Sequence, residues 1–216
     1  GTADAVRRCL HLLERHKPEV VAVFAADHVY RMDVRQMAEF HRAQHADVTV
    51  AGVPVPIEQA SSFGVMATDR HARIREFQEK PAHPQPIPGR RDIAYASMGN
   101  YLFKPGVLVD LLEHTARCGG TDFGKDVMPR LADSGLRVLA YDFARNRLPG
   151  LQPYEERAYW RDVGTLEALA LAKRDVQGGR PRFDLRNRAW PIRRDLLPKL
   201  RGLPAAPAYE SDRFAA

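Results

Sequence analysis

Two short stretches hold residue types that could do chemistry. Phe77-Gln78-Glu79-Lys80-Pro81 and Trp160-Arg161-Asp162-Val163-Gly164-Thr165 each join a strand-like run to charged groups and a forced turn. Pro81 has no backbone donor and disfavours helix at Lys80, so a strand should stop there. That leaves Glu79 and Lys80 at the mouth of a sheet, where α/β proteins place their ligands. The lysine suits a phosphate, and the carboxylate suits sugar hydroxyls. Asp162 stands before a glycine turn, a suitable place for a divalent-metal ligand. Asp27 follows the apolar run 20–26 and is delivered to the open end of that strand. Two carboxylates on one Mg²⁺ would bridge two phosphates. Chemistry of that kind needs charge neutralisation and alignment more than proton transfer. Taken singly, each feature also fits a solvated charge pair or a loop cap.

The elements that must position these groups follow from periodicity. Residues 2–17 read as one amphipathic helix, with Ala5, Cys9, Leu12 and Leu13 at three- and four-residue steps and Thr2 or Asp4 as its cap. The run 20–26 predicts a strand buried on both faces. Helices are predicted at 34–45, 105–116, 123–133 and 166–176. Strands are predicted at 47–53, 63–68, 74–80, 94–103, 136–143 and 157–162. Prolines 81, 84, 86 and 88 make 81–89 a loop. The alternation predicts an α/β fold with a mostly parallel sheet and helices on both faces. Beyond 177, glycine and proline rise and periodicity fades, which predicts a domain at 1–177 and an irregular linker at 178–216.

Composition narrows the function classes. Hydrophobic residues make up 44% of the chain, ordinary for a globular core. No apolar run approaches the roughly 18 residues of a membrane span. The net charge of +6 is confined to residues 173–216, since 1–172 balance. That basic tail is rich in Arg and Pro and poor in aromatics, so a solvated extension, or a surface that meets a further domain or subunit, is expected rather than a nucleic-acid site. Cys9 and Cys118 have no metal-type spacing and are expected as buried or half-buried free thiols.

Further motifs occur in order with those above. They are Gly1-Thr2-Ala3-Asp4-Ala5-Val6, Ala26-Asp27-His28-Val29-Tyr30, Ser62-Phe63-Gly64-Val65-Met66, Ala96-Ser97-Met98-Gly99 and Asp122-Phe123-Gly124-Lys125-Asp126. Together they resemble bacterial glucose-1-phosphate adenylyltransferase, the ADP-glucose pyrophosphorylase family, from Gly1 to about Arg193. The resemblance implies a nucleotide-diphospho-sugar transferase, Rossmann-like fold. It implies AMP transfer from ATP to α-D-glucose 1-phosphate, giving ADP-glucose and pyrophosphate for glycogen synthesis. The family's metal-binding aspartates match Asp27 and Asp162, which implies that the pair shares Mg²⁺. By similarity Lys80 binds the phosphate of glucose 1-phosphate and Glu79 its hydroxyls. Gly64 allows close backbone approach, and Ser97 supplies a hydroxyl.

Gly1 heads the first helix, whose amides and dipole favour an anion, and in the family this segment lies beside the nucleotide base. The family places a regulatory-nucleotide arginine at Arg15. Asp122, Lys125 and Asp126 are expected to shape the same cleft. His28 is expected to be structural, because the attacking phosphate oxygen is already ionised. The family pattern has Gly where this chain has Ala26.

The family's Gly-rich triphosphate segment and its C-terminal β-helix have no counterpart here, although Trp190-Pro191-Ile192-Arg193 resembles the entry to that β-helix. The expectation is a partial catalytic domain, inactive alone, from a cytoplasmic enzyme that is a homotetramer at full length. Expected partners are ATP and glucose 1-phosphate, with no nucleic acid and no membrane. Two other readings stay open: a non-catalytic sugar-phosphate-binding regulatory subunit, and a sister nucleotidyltransferase using another nucleotide.

Overall fold

The computed structural model describes residues 1–132 and 134–191. The elements are α1 (Thr2–Arg7), α2 (His11–His16), β1 (Val21–Phe24), β2 (His28–Tyr30), α3 (Val34–Ala43), β3 (Val48–Pro56), α4 (Ile57–Ala60), β4 (Gly64–Thr68), β5 (Ile74–Glu79) and β6 (Ile93–Phe103). They continue with α5 (Pro105–Arg117), a π-type turn at Phe123–Val127 running into α6 (Met128–Leu131), β7 (Val138–Asp142), a 3₁₀ turn at Phe143–Arg145, β8 (Trp160–Asp162) and α7 (Leu166–Asp175).

β6 organises the molecule. Along one edge it pairs with β3, from Val48 opposite Phe103 to Pro56 opposite Ile93. Its other edge is shared by two strands. β4 pairs at Ala96 and Tyr95, and β1 pairs from Asn100 to Phe103. Between those two stretches, Ser97, Met98 and Gly99 are left without a partner strand on that edge. β5 extends the sheet beyond β4, and β7 lies parallel to β3. β2 and β8 form a separate two-stranded sheet, with His28 opposite Asp162.

Side-chain alternation sends this sheet into two cores. Val48, Val50, Tyr101, Phe103, Val138 and Ala140 pack with Leu108 and Leu112 of α5 and with Phe123, Val127 and Met128. Ala51, Val53, Met98, Leu102 and Tyr141 face the other way, toward Met37 of α3 and Trp160 of β8. Helices therefore cover both faces, as the apolar runs imply.

The α/β class follows the sequence expectation, but the pairing is mixed. β3–β7 is parallel, whereas β6 runs antiparallel to β1, β3 and β4. Strand–helix alternation does not reveal that β4 and β5 form a hairpin. β1 is half-buried rather than buried on both faces, because among the described residues it has one partner strand. The helix expected at 2–17 is two helices. Between them, amides of Cys9, Leu10, Leu12 and Leu13 bond three residues back, tightening the turn and changing the axis. Neither expected side-chain cap is made: Gly1 is the cap position and contributes none. Cys9 and Cys118 are free but exposed, since both lie at helix ends on the surface. Of the expected linker 178–216, residues 192–216 lie outside the described residues, as do Ile192 and Arg193 of the family-like tetrapeptide. Residues 178–191 carry no helix or strand, yet Phe183, Asp184 and Asn187 are buried.

Candidate functional site

The site forms at the gap in β6 pairing. β1 leaves β6 beside Asn100, and β4 begins beside Ala96. The chain after β1 and the chain entering β4 therefore flank Ser97–Gly99 from opposite sides. Gly99 has φ +66°, and a Cβ there would lie 2.9 Å from the Ala25 Cβ and 3.3 Å from the His28 ring. Only glycine suits this position, on conformation and on space. Its carbonyl accepts from the Ala25 amide at 3.0 Å, which fixes the exit of β1.

That exit delivers Asp27 and His28. The His28 Nδ1 donates to the Met98 carbonyl at 2.8 Å, so its Nε2 is turned outward. The Nε2 lies 3.7 Å from a carboxylate oxygen of Asp27 and 4.0 Å from one of Asp162. The backbone draws the same groups together: the Val163 amide donates to the Asp27 carbonyl at 3.0 Å. Asp162 also accepts from the Gly164 amide at 2.8 Å, which closes the turn predicted there. Side chains 135 residues apart in sequence thus meet around one imidazole. Both carboxylates remain substantially exposed, at 66% and 44%. No group of three or more His, Cys, Asp or Glu able to hold a metal occurs among the described residues. Two exposed oxygen donors with open space beside them suit a hard divalent cation that takes its other ligands from water and phosphate.

The second half of the site lies across Ser97. Gly64 opens β4 directly opposite Glu79, the last residue of β5. The Glu79 carboxylate is exposed but has two glycines close beside it. Its Oε2 is 3.1 Å from where a Cβ on Gly64 would stand, and 2.9 Å from the equivalent point on Gly124. Lys80 adopts φ +48°, and its amide donates to the Phe63 carbonyl at 3.0 Å. Strand β5 therefore ends in a left-handed residue just before Pro81, and Lys80 is exposed. Ser97 Oγ accepts from the Gly99 amide at 3.3 Å.

Aromatic side chains tie the halves together. Trp160 meets His28 edge-on at 5.0 Å and Phe63 at 5.2 Å. Phe63 in turn holds Lys80 through its carbonyl. The buried Trp160 indole nitrogen has no hydrogen-bond partner among the described residues. Tyr101 lies beneath Ser97, and burial pushes its hydroxyl up to about 12, with the Glu79 and Asp122 carboxylates adding to the effect. The sequence reading assigned no role to Trp160 or Tyr101. Trp160 stands two residues before Asp162, so β-strand alternation could have placed it on the same face as that carboxylate. Tyr101 carries no such signal, since it reads as an ordinary core aromatic.

The remaining expected residues divide. Asp122 caps the π-type turn through Lys125 N at 3.1 Å and accepts from Thr2 Oγ1 at 3.0 Å. Asp126 accepts from the Thr121 and Asp122 amides at 2.7 and 2.8 Å. They shape the loop that presents Gly124 to Glu79. Gly1 packs on Thr121, whose carbonyl takes the Ala3 and Asp4 amides at 2.8 and 3.2 Å. Those α1 amides are thus satisfied within the fold. Arg15 lies exposed on α2, and none of the site contacts involves it. Ala26 is exposed and outside the left-handed region.

Comparison with known proteins agrees with this architecture. The chain is 50% identical over 192 residues to the glucose-1-phosphate adenylyltransferase of Thermodesulfovibrio yellowstonii, covering 89% of this chain and 47% of that protein. It is 51% identical over 195 residues to the enzyme of the same name from Thermus thermophilus, and 46% identical to that of Mycobacterium leprae, again across 89% of the chain. These matches take in 47% and 48% of the two proteins. The chain spans about half the length of the curated relatives it matches. The family model described as nucleotidyl transferase matches residues 1–178, and the chain belongs to that family.

Proposed function

We propose that the protein carrying this chain transfers AMP from ATP to α-D-glucose 1-phosphate, releasing pyrophosphate and forming ADP-glucose for glycogen synthesis. The carrying observation is the convergence of Asp27 and Asp162 on one imidazole, across a sheet gap from the Gly-flanked Glu79 and Lys80. The names of the relatives support the same substrates. The catalytic domain is assigned to residues 1–177, supported by the family match to 1–178.

In this reading a phosphate oxygen of glucose 1-phosphate attacks the α-phosphorus of ATP in line, and the bond to the departing pyrophosphate breaks. Lys80 binds the sugar phosphate and Glu79 accepts from sugar hydroxyls. Gly64 and Ser97 line the sugar. Mg²⁺ held by Asp27 and Asp162 would neutralise phosphate charge. The attacking oxygen is already an anion, so no general base is required. His28 is correspondingly committed to the Met98 carbonyl and spaces the two carboxylates. Gly1 is proposed to lie beside the nucleotide and Arg15 to meet a regulatory nucleotide.

The test is pyrophosphate release by the full-length protein with ATP and glucose 1-phosphate in Mg²⁺. ATP should exceed UTP, CTP and GTP in kcat/KM. Turnover with another nucleotide in preference would assign a sister transferase. Sugar-phosphate binding without turnover would assign a regulatory subunit.

A further inference from the structure

Both strands of the aspartate sheet are tied to one segment, 182–184, which lies beyond the residues matched by the family model. Arg31 follows β2 directly, and Arg161 precedes Asp162 on β8. Strand alternation turns Arg161 to the face opposite Asp162. The chain returns to both arginines after α7.

The Arg31 side chain is 3% exposed and that of Glu155 2%. The guanidinium lies 3.4 Å from Glu155 Oε2 and donates to the Asp184 carbonyl. The Asp184 amide donates to the same Glu155 oxygen at 2.8 Å, and the Gln152 amide to the other at 2.9 Å. Arg161 reaches the segment through Glu156. That carboxylate pairs with Arg161 at 2.7 Å and with Arg182 at 2.6 Å, while the Glu156 amide donates to the Arg182 carbonyl at 2.9 Å. Asp175 pairs with the same two arginines, at 3.1 and 3.6 Å. Rings complete the link. Arg31 lies 4.5 Å over Phe183, Phe183 stacks on Tyr159 at 4.6 Å, and Arg161 lies 4.3 Å over Tyr159. A chain of contacts therefore runs from the end of β2 through the segment to β8.

A buried ion pair adds little net stability over apolar residues of the same size, and its best use is to fix one arrangement. The groups beside this one need such fixing. Asp27 heads β2 and Asp162 ends β8, and two carboxylates on one cation must hold a set spacing.

We propose that residues 182–184 act as a strap on the aspartate sheet, with Arg31 and Arg161 as positioning residues that set the spacing of Asp27 and Asp162 for one divalent cation. This rests on the metal role proposed above for the two aspartates.

The experiment is titration of the full-length protein with Mn²⁺ alone, followed by electron paramagnetic resonance, beside steady-state kinetics in Mg²⁺. Asp27→Asn identifies the site's own Mn²⁺. If it leaves Mn²⁺ binding unchanged, the metal role itself fails, and the strap with it. Arg31→Met alone would leave Glu155 buried and unpaired, so it is combined with Glu155→Gln. The double variant should weaken Mn²⁺ about tenfold and lower kcat/KM for ATP by a similar factor. Its KM for glucose 1-phosphate should stay within about twofold, a split that general loosening of the fold would not produce. Arg182→Gln removes an ion pair whose arginine side chain is 61% exposed, so folding is not at issue. It should weaken Mn²⁺ about threefold, and it decides the matter if the double variant does not fold. With wild-type binding lost in Asp27→Asn, unchanged Mn²⁺ affinity in the folded strap variants overturns the proposal. An equal loss for both substrates overturns it too.

Discussion

The aspartate side and the lysine side of the candidate site are built on different sheets of the fold. Asp27 and Asp162 ride on a two-stranded sheet of three residues per strand. That sheet is held by Trp160, by Tyr30 against Phe143, by His28 on the Met98 carbonyl and by Arg161, which reaches back to Glu156 at 2.7 Å and Asp175 at 3.1 Å. The two carboxylates stand in the open. Glu79, also exposed, ends a strand of the six-stranded sheet and has Gly64 and Gly124 close beside its carboxylate. One side offers two exposed carboxylates whose oxygens can adjust around a cation. On the other, a methyl group added at Gly64 or Gly124 would press on the Glu79 carboxylate. Under the proposed function, the glycine-flanked side would take the sugar and the aspartate side the phosphate charge.

Removing the aspartates should have the largest effect. Asp27→Asn and Asp162→Asn are each expected to cut kcat/KM at least about hundredfold, because a lost cation contact removes several kcal/mol of charge stabilisation. The double variant should be little worse than either single one, since the two residues would share one ion. Kinetics across a Mg²⁺ series would decide this. Fully additive losses would mean that the carboxylates act at separate places.

Lys80→Ala should come next, and should be selective. Loss of a charge-assisted phosphate contact costs roughly 1.5–3 kcal/mol, about ten- to hundredfold. The KM for glucose 1-phosphate should rise by that factor while the KM for ATP stays within about threefold. Equal effects on both substrates would remove Lys80 from the sugar side.

A pair of methyl groups sharpens the comparison. In Gly124→Ala the new Cβ would stand 2.9 Å from Glu79 Oε2, forcing that carboxylate to move. In Gly164→Ala it would stand 3.0 Å from Asp162 Oδ1, which can swing into solvent. The clashes are nearly equal, so any difference in outcome reports the difference in rigidity. Gly124→Ala should weaken glucose 1-phosphate about tenfold, and Gly164→Ala should alter kcat/KM less than about threefold. A reversed order would mean that the aspartate side is the rigid one.

The same contrast explains what could be read from the sequence. Strand ends punctuated by Pro81 and Gly164, and the apolar run before Asp27, are local signals, and they marked the groups that the fold gathers. The runs 47–53 and 94–103 were legible as strands, and the structure places them at Val48–Pro56 and Ile93–Phe103. The gap at Ser97–Gly99 was not legible, because it arises from where two other strands happen to stop along β6. The turn between α1 and α2 was also hidden, since the apolar spacing continues through it while the backbone tightens. Gly1 reads as the head of an anion-binding helix, yet that helix end is filled by Thr121, a residue 120 positions away. Tertiary contacts of that range leave no periodic trace.

The smallest effect is expected where the chain departs from its family pattern. A glycine at position 26 would matter if the backbone there needed positive φ, or if a Cβ stood in the way of a phosphate. The first condition does not hold, because Ala26 lies outside the left-handed region. Nor is its methyl group buried against the site, since the residue is exposed. Ala26→Gly should therefore leave kcat/KM within about twofold. It should lower stability slightly, by about 0.5–1 kcal/mol, through the greater freedom of the unfolded chain. Steady-state kinetics and a denaturant titration of the full-length pair measure both quantities. A tenfold gain in kcat/KM would show that this methyl group obstructs the triphosphate, and that the open aspartate side is already as close to its substrate as the glycine-flanked side around Glu79.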